Sequence, residues 1–148
     1  MIYSLIGYYT LVLGLIIALS LFYFSYKNFN NSNVLDTKIL SFSFLQLFFV
    51  FISFLCLIFS FVVSDFSNET VFNNSHTTKP LFYKISGTWG NHEGSLLLWL
   101  LVLTLFIFLF LLRTKNQPVK YKILTLVFQQ IIIVGFFLFL ILTSNPFN

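Results

Sequence analysis

Charged residues are scarce in this sequence: only 8% of the 148 residues are Asp, Glu, Lys or Arg, whereas 58% are hydrophobic. Soluble domains usually carry about 25% charged residues. So few charges cannot cover a water-facing surface, and the composition therefore indicates a membrane protein. The net charge of +4 does not indicate nucleic-acid binding, because the few basic residues lie between long apolar runs.

Cysteine and histidine are almost absent as well. The single cysteine, Cys56, excludes a disulfide within the chain and lies in an apolar run, so we predict a small buried thiol. The two histidines, His76 and His92, have no metal-ligand spacing, and the sequence contains no phosphate-binding glycine loop and no hydrolase triad. Two glycosylation-type triplets begin at Asn68 and Asn73, and we interpret them as chance matches in an Asn-rich loop.

Four long stretches contain no Asp, Glu, Lys, Arg or His. A helix needs about 20 mostly apolar residues to cross a bilayer core, and each stretch is long enough. We therefore predict an all-α integral membrane fold with one membrane domain over residues 1–148. Within this domain, we predict transmembrane helices at about 1–26, 39–64, 94–112 and 123–143. An outer loop over residues 65–93 joins the second and third helices.

The basic residues predict the orientation of these helices. The first and third connections hold six of them, whereas the outer loop holds only Lys79 and Lys84. Under the positive-inside rule, the richer side faces the cytoplasm or matrix, so both termini and the outer loop face outward. The six residues are Lys27, Lys38, Arg113, Lys115, Lys120 and Lys122.

The densest polar cluster, "GTWGNHEGSLLLW" (Gly87–Trp99), lies directly against the third apolar run. Asn91 has the position of a helix N-cap, and Glu93 would lie in the first turn, where the helix dipole favours a negative charge. The glycines of this cluster permit a tight chain reversal or close backbone packing. They are Gly87, Gly90 and Gly94.

A turn that caps a membrane helix would explain this cluster in structural terms. The functional alternative concerns His92 and Glu93, because an ionisable pair at a membrane boundary can bind a cofactor, relay protons or engage a partner. Neighbouring residues on a helix point about 100° apart, so the two side chains need not share one target. Both interpretations remain open from the residues alone.

The stretch "PLFYKISGTWGNHEGSLLLWLLVLTLF" (Pro80–Phe106) resembles the N-terminal signature of the CcmF proteins, the haem lyase subunits of the multi-component cytochrome c maturation system. The signature is a tryptophan, a small residue, a variable position and then His-Glu-Gly-Ser, followed by an apolar run that ends in tryptophan. The segments "VVSDFS" (Val62–Ser67) and "TSNPF" (Thr143–Phe147) resemble two further elements of this family. Their order and spacing agree over nearly the whole chain.

The resemblance implies a role in attaching haem to apocytochrome c, through thioether bonds between the haem vinyl groups and the cysteines of a C-x-x-C-H motif. It implies haem b as the cofactor, held by the assembled complex rather than ligated directly by this chain. The implied partners are the remaining haem lyase subunits with a tryptophan-rich segment, a haem chaperone, apocytochrome c and the lipid bilayer, with no nucleic acid.

The sequence departs from the family in its length. Family members are normally several times longer, and their tryptophan-rich segment and proposed haem-ligating histidines lie further along. We therefore assign neither His76 nor His92 as such a ligand and expect one piece of a split haem lyase that is not catalytic alone. Residues expected to contact a haem site or a partner are Trp89, His92, Glu93 and Trp99.

The rich supply of Phe, a residue with AT-rich codons, favours an organelle genome and hence the mitochondrial inner membrane, with a bacterial inner membrane as the alternative. The composition also allows two other functions. An accessory structural subunit of a respiratory complex fits the composition but does not explain the long signature. A channel or transporter fragment is disfavoured, because the predicted helices contain none of the charges that usually mark such pathways.

Overall fold

The structure, a computed structural model, describes residues 1–27, 35–114 and 116–148. These residues form six α-helices and no strand. Lys115, one of the basic residues used to predict the orientation, lies outside the described residues. In chain order the helices are α1 (Ile2–Lys27), α2 (Leu35–Val62), α3 (Glu69–Asn74), α4 (Leu81–Gly87), α5 (His92–Arg113) and α6 (Val119–Leu142).

The four long helices α1, α2, α5 and α6 are each long and apolar enough to cross a membrane. This confirms the predicted all-α fold with four transmembrane helices. The last helix begins at Val119, earlier than the charge-free run suggested, so that Lys120 and Lys122 lie in its first turn. Lys122 is buried against the bundle, although the sequence favoured a connecting loop at that position.

The long helices pack into a four-helix bundle. Helix α1 packs against α2 and α6, and α5 packs against the same two helices. Gly14 of α1 lies against the ring of Phe137 in α6, and a Cβ at residue 14 would come within 2.9 Å of that ring. The apolar centre includes the buried Cys56, which confirms the prediction of a buried free thiol.

A pair of amide side chains lies inside this apolar bundle. Gln46 of α2 and Gln130 of α6 are both fully buried. Each amide donates to the other, with N···O distances of 3.3 and 3.1 Å. Because a buried amide is costly unless it is hydrogen-bonded, the two residues stabilise each other and fix α2 relative to α6.

The segment between α2 and α5, predicted to be a loop, contains the two short helices α3 and α4. Helix α2 ends in a Schellman motif, in which Ser64 has a φ of 55° and the N–H of Asp65 donates to the Ser60 carbonyl at 3.0 Å. The Lys84 ammonium of α4 donates to the Ser64 hydroxyl at 2.7 Å. These contacts hold α4 against the end of α2.

Candidate functional site

The N-terminus of α5 is fixed by Asn91. Its side-chain oxygen accepts the Gly94 N–H at 2.7 Å, as expected of an N-cap. Its side-chain nitrogen donates to the carbonyls of Gly87 and Thr88 at 2.9 and 3.2 Å. The predicted cap is confirmed, and the same amide also joins the end of α4 to the start of α5.

Gly94 is the glycine that this junction requires. The carbonyl oxygen of Thr88 lies so close to its Cα that a Cβ at residue 94 would overlap it. A Cβ at Gly87 or Gly90 would instead meet its nearest neighbours at 3.5 Å, which is ordinary contact. None of the glycines in the described residues has a positive φ. Close backbone packing at Gly94, rather than a left-handed turn, is therefore the reason for glycine in the cluster.

His92 and Glu93 lie side by side at the start of α5 but have different surroundings. His92 is exposed, its Nδ1 lies 3.5 Å from the Ser144 hydroxyl, and its ring centroid lies 6.4 Å from that of Phe139. Glu93 is half-buried and lines a cavity of about 180 Å³ together with Glu69 of α3. The histidine thus meets the end of α6, whereas the glutamate faces the polar cavity beside it.

This cavity is lined almost entirely by oxygen- and amide-bearing side chains. Among the described residues, no group of three or more His, Cys, Asp and Glu could hold a metal ion. The cavity therefore has two carboxylates in a polar wall but no recognisable set of metal ligands. Its lining residues are Glu69, Thr70, Asn73, Asn74, Glu93, Thr143, Ser144, Asn145 and Asn148.

The two tryptophans of the signature are both open to the surroundings. Trp89 lies in the turn between α4 and α5 and is 42% exposed, and Trp99 lies two turns into α5 and is 59% exposed. Trp99 follows His92 by seven residues, so the two share one face of α5. The structure thus brings His92 and Glu93 to one helix end and leaves both indole rings accessible.

Asn68 is the residue of this region that sequence reasoning missed. It is fully buried, its side-chain oxygen accepts the Val71 N–H at 3.0 Å, and its nitrogen donates to the Pro146 carbonyl at 2.9 Å. It therefore caps α3 and ties it to the C-terminal segment. Among the many asparagines of a polar loop, nothing in the sequence distinguishes this buried one.

The C-terminal "TSNPF" segment completes the same end of the bundle. The ring of Phe147 occupies the space in which a side chain at Gly7 of α1 would lie. The N–H of Glu69 donates to the Asn148 carbonyl at 2.6 Å. Together with the contacts between Ser144 and His92 and between Lys84 and Ser64, these interactions bring the three segments of the family resemblance to one end of the bundle.

Several known proteins are similar in sequence to this chain. No family model matches the chain. The cytochrome c-type biogenesis protein CycK of Rhizobium meliloti is 52% identical over 95 residues, which are 64% of this chain and 14% of that protein. CycK of Bradyrhizobium diazoefficiens is 49% identical over 102 residues, 69% of this chain and 16% of the relative. CcmF of Escherichia coli is 41% identical over 96 residues, 65% of this chain and 15% of the relative.

A solved structure described as "Cytochrome c Heme Lyase CcmF" matches 99% of this chain with a TM-score of 0.87 and 26% sequence identity. The match covers 25% of that longer chain. The present sequence thus spans about one seventh of the curated relatives' length and a quarter of the solved lyase. Sequence and structure agree that the chain belongs to the CcmF family of cytochrome c-type biogenesis proteins and corresponds to the N-terminal part of its members.

Proposed function

We propose that this chain works as the N-terminal part of a cytochrome c haem lyase and assists the covalent attachment of haem to apocytochrome c on the outer face of the inner membrane. The observation that carries the proposal is the match of 99% of the chain to the haem lyase structure. The names of the relatives concern cytochrome c-type biogenesis. No comparable support exists for an accessory subunit of a respiratory complex.

We name the end of the bundle that carries α3, α4 and the start of α5 the outer end. We propose that it presents a rigid surface. The amides of Asn68 and Asn91 fix the short helices and the start of α5, and thereby hold the neighbouring exposed side chains in place. We propose that this surface contacts the haem site or a partner subunit. The contact residues are Trp89, His92, Glu93 and Trp99.

The small polar cavity beside His92 is not of the size or character of a haem site. Small-molecule pockets are usually about 300–1,000 Å³ in volume and mostly apolar. The cavity next to His92 has a volume of about 180 Å³ and a polar wall. We propose haem b as a cofactor of the assembled complex, and we assign the bond-forming chemistry to the remainder of the lyase, because this chain matches only a quarter of the solved lyase.

The proposed partners are lyase subunits with a tryptophan-rich segment, a haem chaperone and apocytochrome c. The four spanning helices make this a multi-pass membrane protein. The composition supports the mitochondrial inner membrane, and the bacterial relatives support a bacterial inner membrane as the alternative.

Isolation of the tagged chain from membranes solubilised in mild detergent tests this function. We expect mass spectrometry to identify peptides from the tryptophan-rich remainder of a haem lyase. Recovery of respiratory-complex subunits without any such peptides would contradict the proposal. Fractionation of the same cells distinguishes the two membrane locations.

A contact role for His92 predicts a loss of haem attachment in His92→Ala. We expect less holo-cytochrome c in a haem stain, because the imidazole is exposed beside the end of α6. His76→Ala is the matched control, since His76 is also exposed and lies between α3 and α4. Normal haem attachment in His92→Ala, at an unchanged level of the protein, would exclude an essential role for this side chain.

A further inference from the structure

Helices α5 and α6 form one continuous surface on the side that faces away from the core of the bundle. Rings of the two helices lie close together near both ends of the helix pair, with centroid distances of 6.4 Å between His92 and Phe139 and 6.0 Å between Phe110 and Tyr121. We name the exposed strip between these contacts the α5–α6 face. It consists of Trp99 and Phe106 from α5 and of Phe128, Ile132, Gly135 and Phe139 from α6.

The spacing of these residues places each set on one side of its helix. Trp99 and Phe106 follow His92 at intervals of seven residues, which correspond to two helical turns. On α6, the positions from Tyr121 to Phe139 recur at intervals of seven, four, three and four residues. Because Tyr121 and Phe139 both lie against rings of α5, the residues between them lie along the junction of α5 and α6.

Gly135 is unlike the other glycines of the membrane helices. The space beside Gly7 is filled by Phe147, that beside Gly14 by Phe137 and that beside Gly94 by the Thr88 carbonyl. Within the described part of the chain, by contrast, a Cβ built at Gly135 would meet no atom within 4 Å apart from its chain neighbours and the backbone of its own helix. Ile132 and Phe139, large exposed side chains one turn before and after it on the same face of α6, flank the glycine, so it forms a notch in a bulky apolar surface.

At a surface that faces only lipid, a glycine notch would give no energetic advantage over alanine. Glycine disfavours a helix relative to alanine, and fluid acyl chains cover either residue equally well. Between membrane helices, however, glycine allows two backbones to approach closely. The α5–α6 face also includes Trp99 and adjoins His92, two of the proposed partner contacts.

We propose that the α5–α6 face is the docking surface for a transmembrane helix from the part of the lyase that this sequence does not contain, with the closest approach at Gly135. The inference rests on the proposed function. The matching solved lyase is about four times as long as the segment covered by this chain, so about three quarters of that lyase lies outside the matched segment. The notch identifies where a helix of that remainder fits.

Site-directed photo-cross-linking in native membranes tests the docking surface. The photoreactive amino acid benzoylphenylalanine is incorporated in place of Phe128 during translation, and the adducts formed on irradiation are mapped by mass spectrometry. The same replacement at Ile16 is the matched control, because Ile16 is an exposed apolar residue of α1 and lies outside the α5–α6 face. We expect adducts with a transmembrane helix of the lyase remainder from position 128, at about tenfold the yield obtained from position 16.

A second variant, Gly135→Leu, tests whether the helix docks at the notch. Since a Cβ at this residue meets open space, the variant should unfold at the same temperature as the wild type or higher, while the adduct from position 128 falls about tenfold. Adducts only with lipid or with a second copy of this chain, or an unchanged yield in Gly135→Leu, would overturn the docking surface. Failure of the tagged wild type to recover any lyase peptides would instead overturn the proposed function itself.

Discussion

At the scale of the single residue, Gly94 offers the sharpest test of the outer end. We expect Gly94→Ala to lower the free energy of unfolding by about 1–3 kcal/mol, because the new Cβ would overlap the Thr88 carbonyl and force α4 away from α5. Thermal unfolding of the detergent-solubilised protein measures the change. Gly90→Ala is the control from the same turn, with an expected change within about 0.5 kcal/mol. Equal stability of the two variants would refute the close approach at residue 94.

Asn68 supports a second residue-scale prediction. We expect Asn68→Ala to cost about 1–3 kcal/mol, since it leaves the Val71 N–H and the Pro146 carbonyl without their partner. Unfolding by heat provides the measurement. Asn73→Ala alters an exposed asparagine of the same helix and should change stability by no more than about 0.5 kcal/mol. If both variants behave alike, the buried amide does not hold the C-terminal segment.

At the scale of the element, the sequence predicts some helices much better than others. The spanning helices follow from long charge-free runs, and the cap at Asn91 follows from a local pattern next to such a run. Helices α3 and α4 could not be predicted in this way, because they are only 6 and 7 residues long. Helices this short are stabilised mainly by tertiary contacts, here the hydrogen bond from the Asn68 amide to the Pro146 carbonyl and the contact between Lys84 and Ser64.

The amide pair between α2 and α6 gives a prediction about two elements. We expect Gln130→Leu to destabilise the bundle, because it leaves the Gln46 amide buried without its partner. The double variant with Gln46→Leu should recover much of the loss. A double-mutant cycle in thermal unfolding should give a coupling of about 0.5–2 kcal/mol. Additive effects of the two single variants would contradict a direct interaction.

At the scale of the whole molecule, the end that carries the family signature is assembled from distant parts of the sequence. His92 lies beside Ser144, Asn68 beside Pro146 and Gly7 beneath Phe147. The individual residues of the signature could be predicted from the sequence as candidates. Their arrangement could not, because contacts between residues 52, 78 and 140 positions apart leave no local periodicity. The contact of Trp89 and Trp99 with a partner remains a prediction.

The orientation of the bundle is also a property of the whole molecule. The described basic residues of the first and third connections all lie at the same ends of the long helices, with Lys27 closing α1, Lys38 near the start of α2 and Arg113 closing α5. The positive-inside rule then predicts that α3, α4 and the signature face outward. This is the side on which the proposed attachment of haem takes place.

Labelling with a membrane-impermeant maleimide checks this orientation. In the Cys56→Ala background, Thr78→Cys lies between α3 and α4, and Gln117→Cys lies between α5 and α6; both positions are exposed. In intact mitoplasts or spheroplasts, we expect Thr78→Cys to react at once and Gln117→Cys to react only after detergent is added. Each variant is thus the control for the other. The reverse pattern would put the signature on the inner side, where it could not serve a haem lyase that works on the outer face.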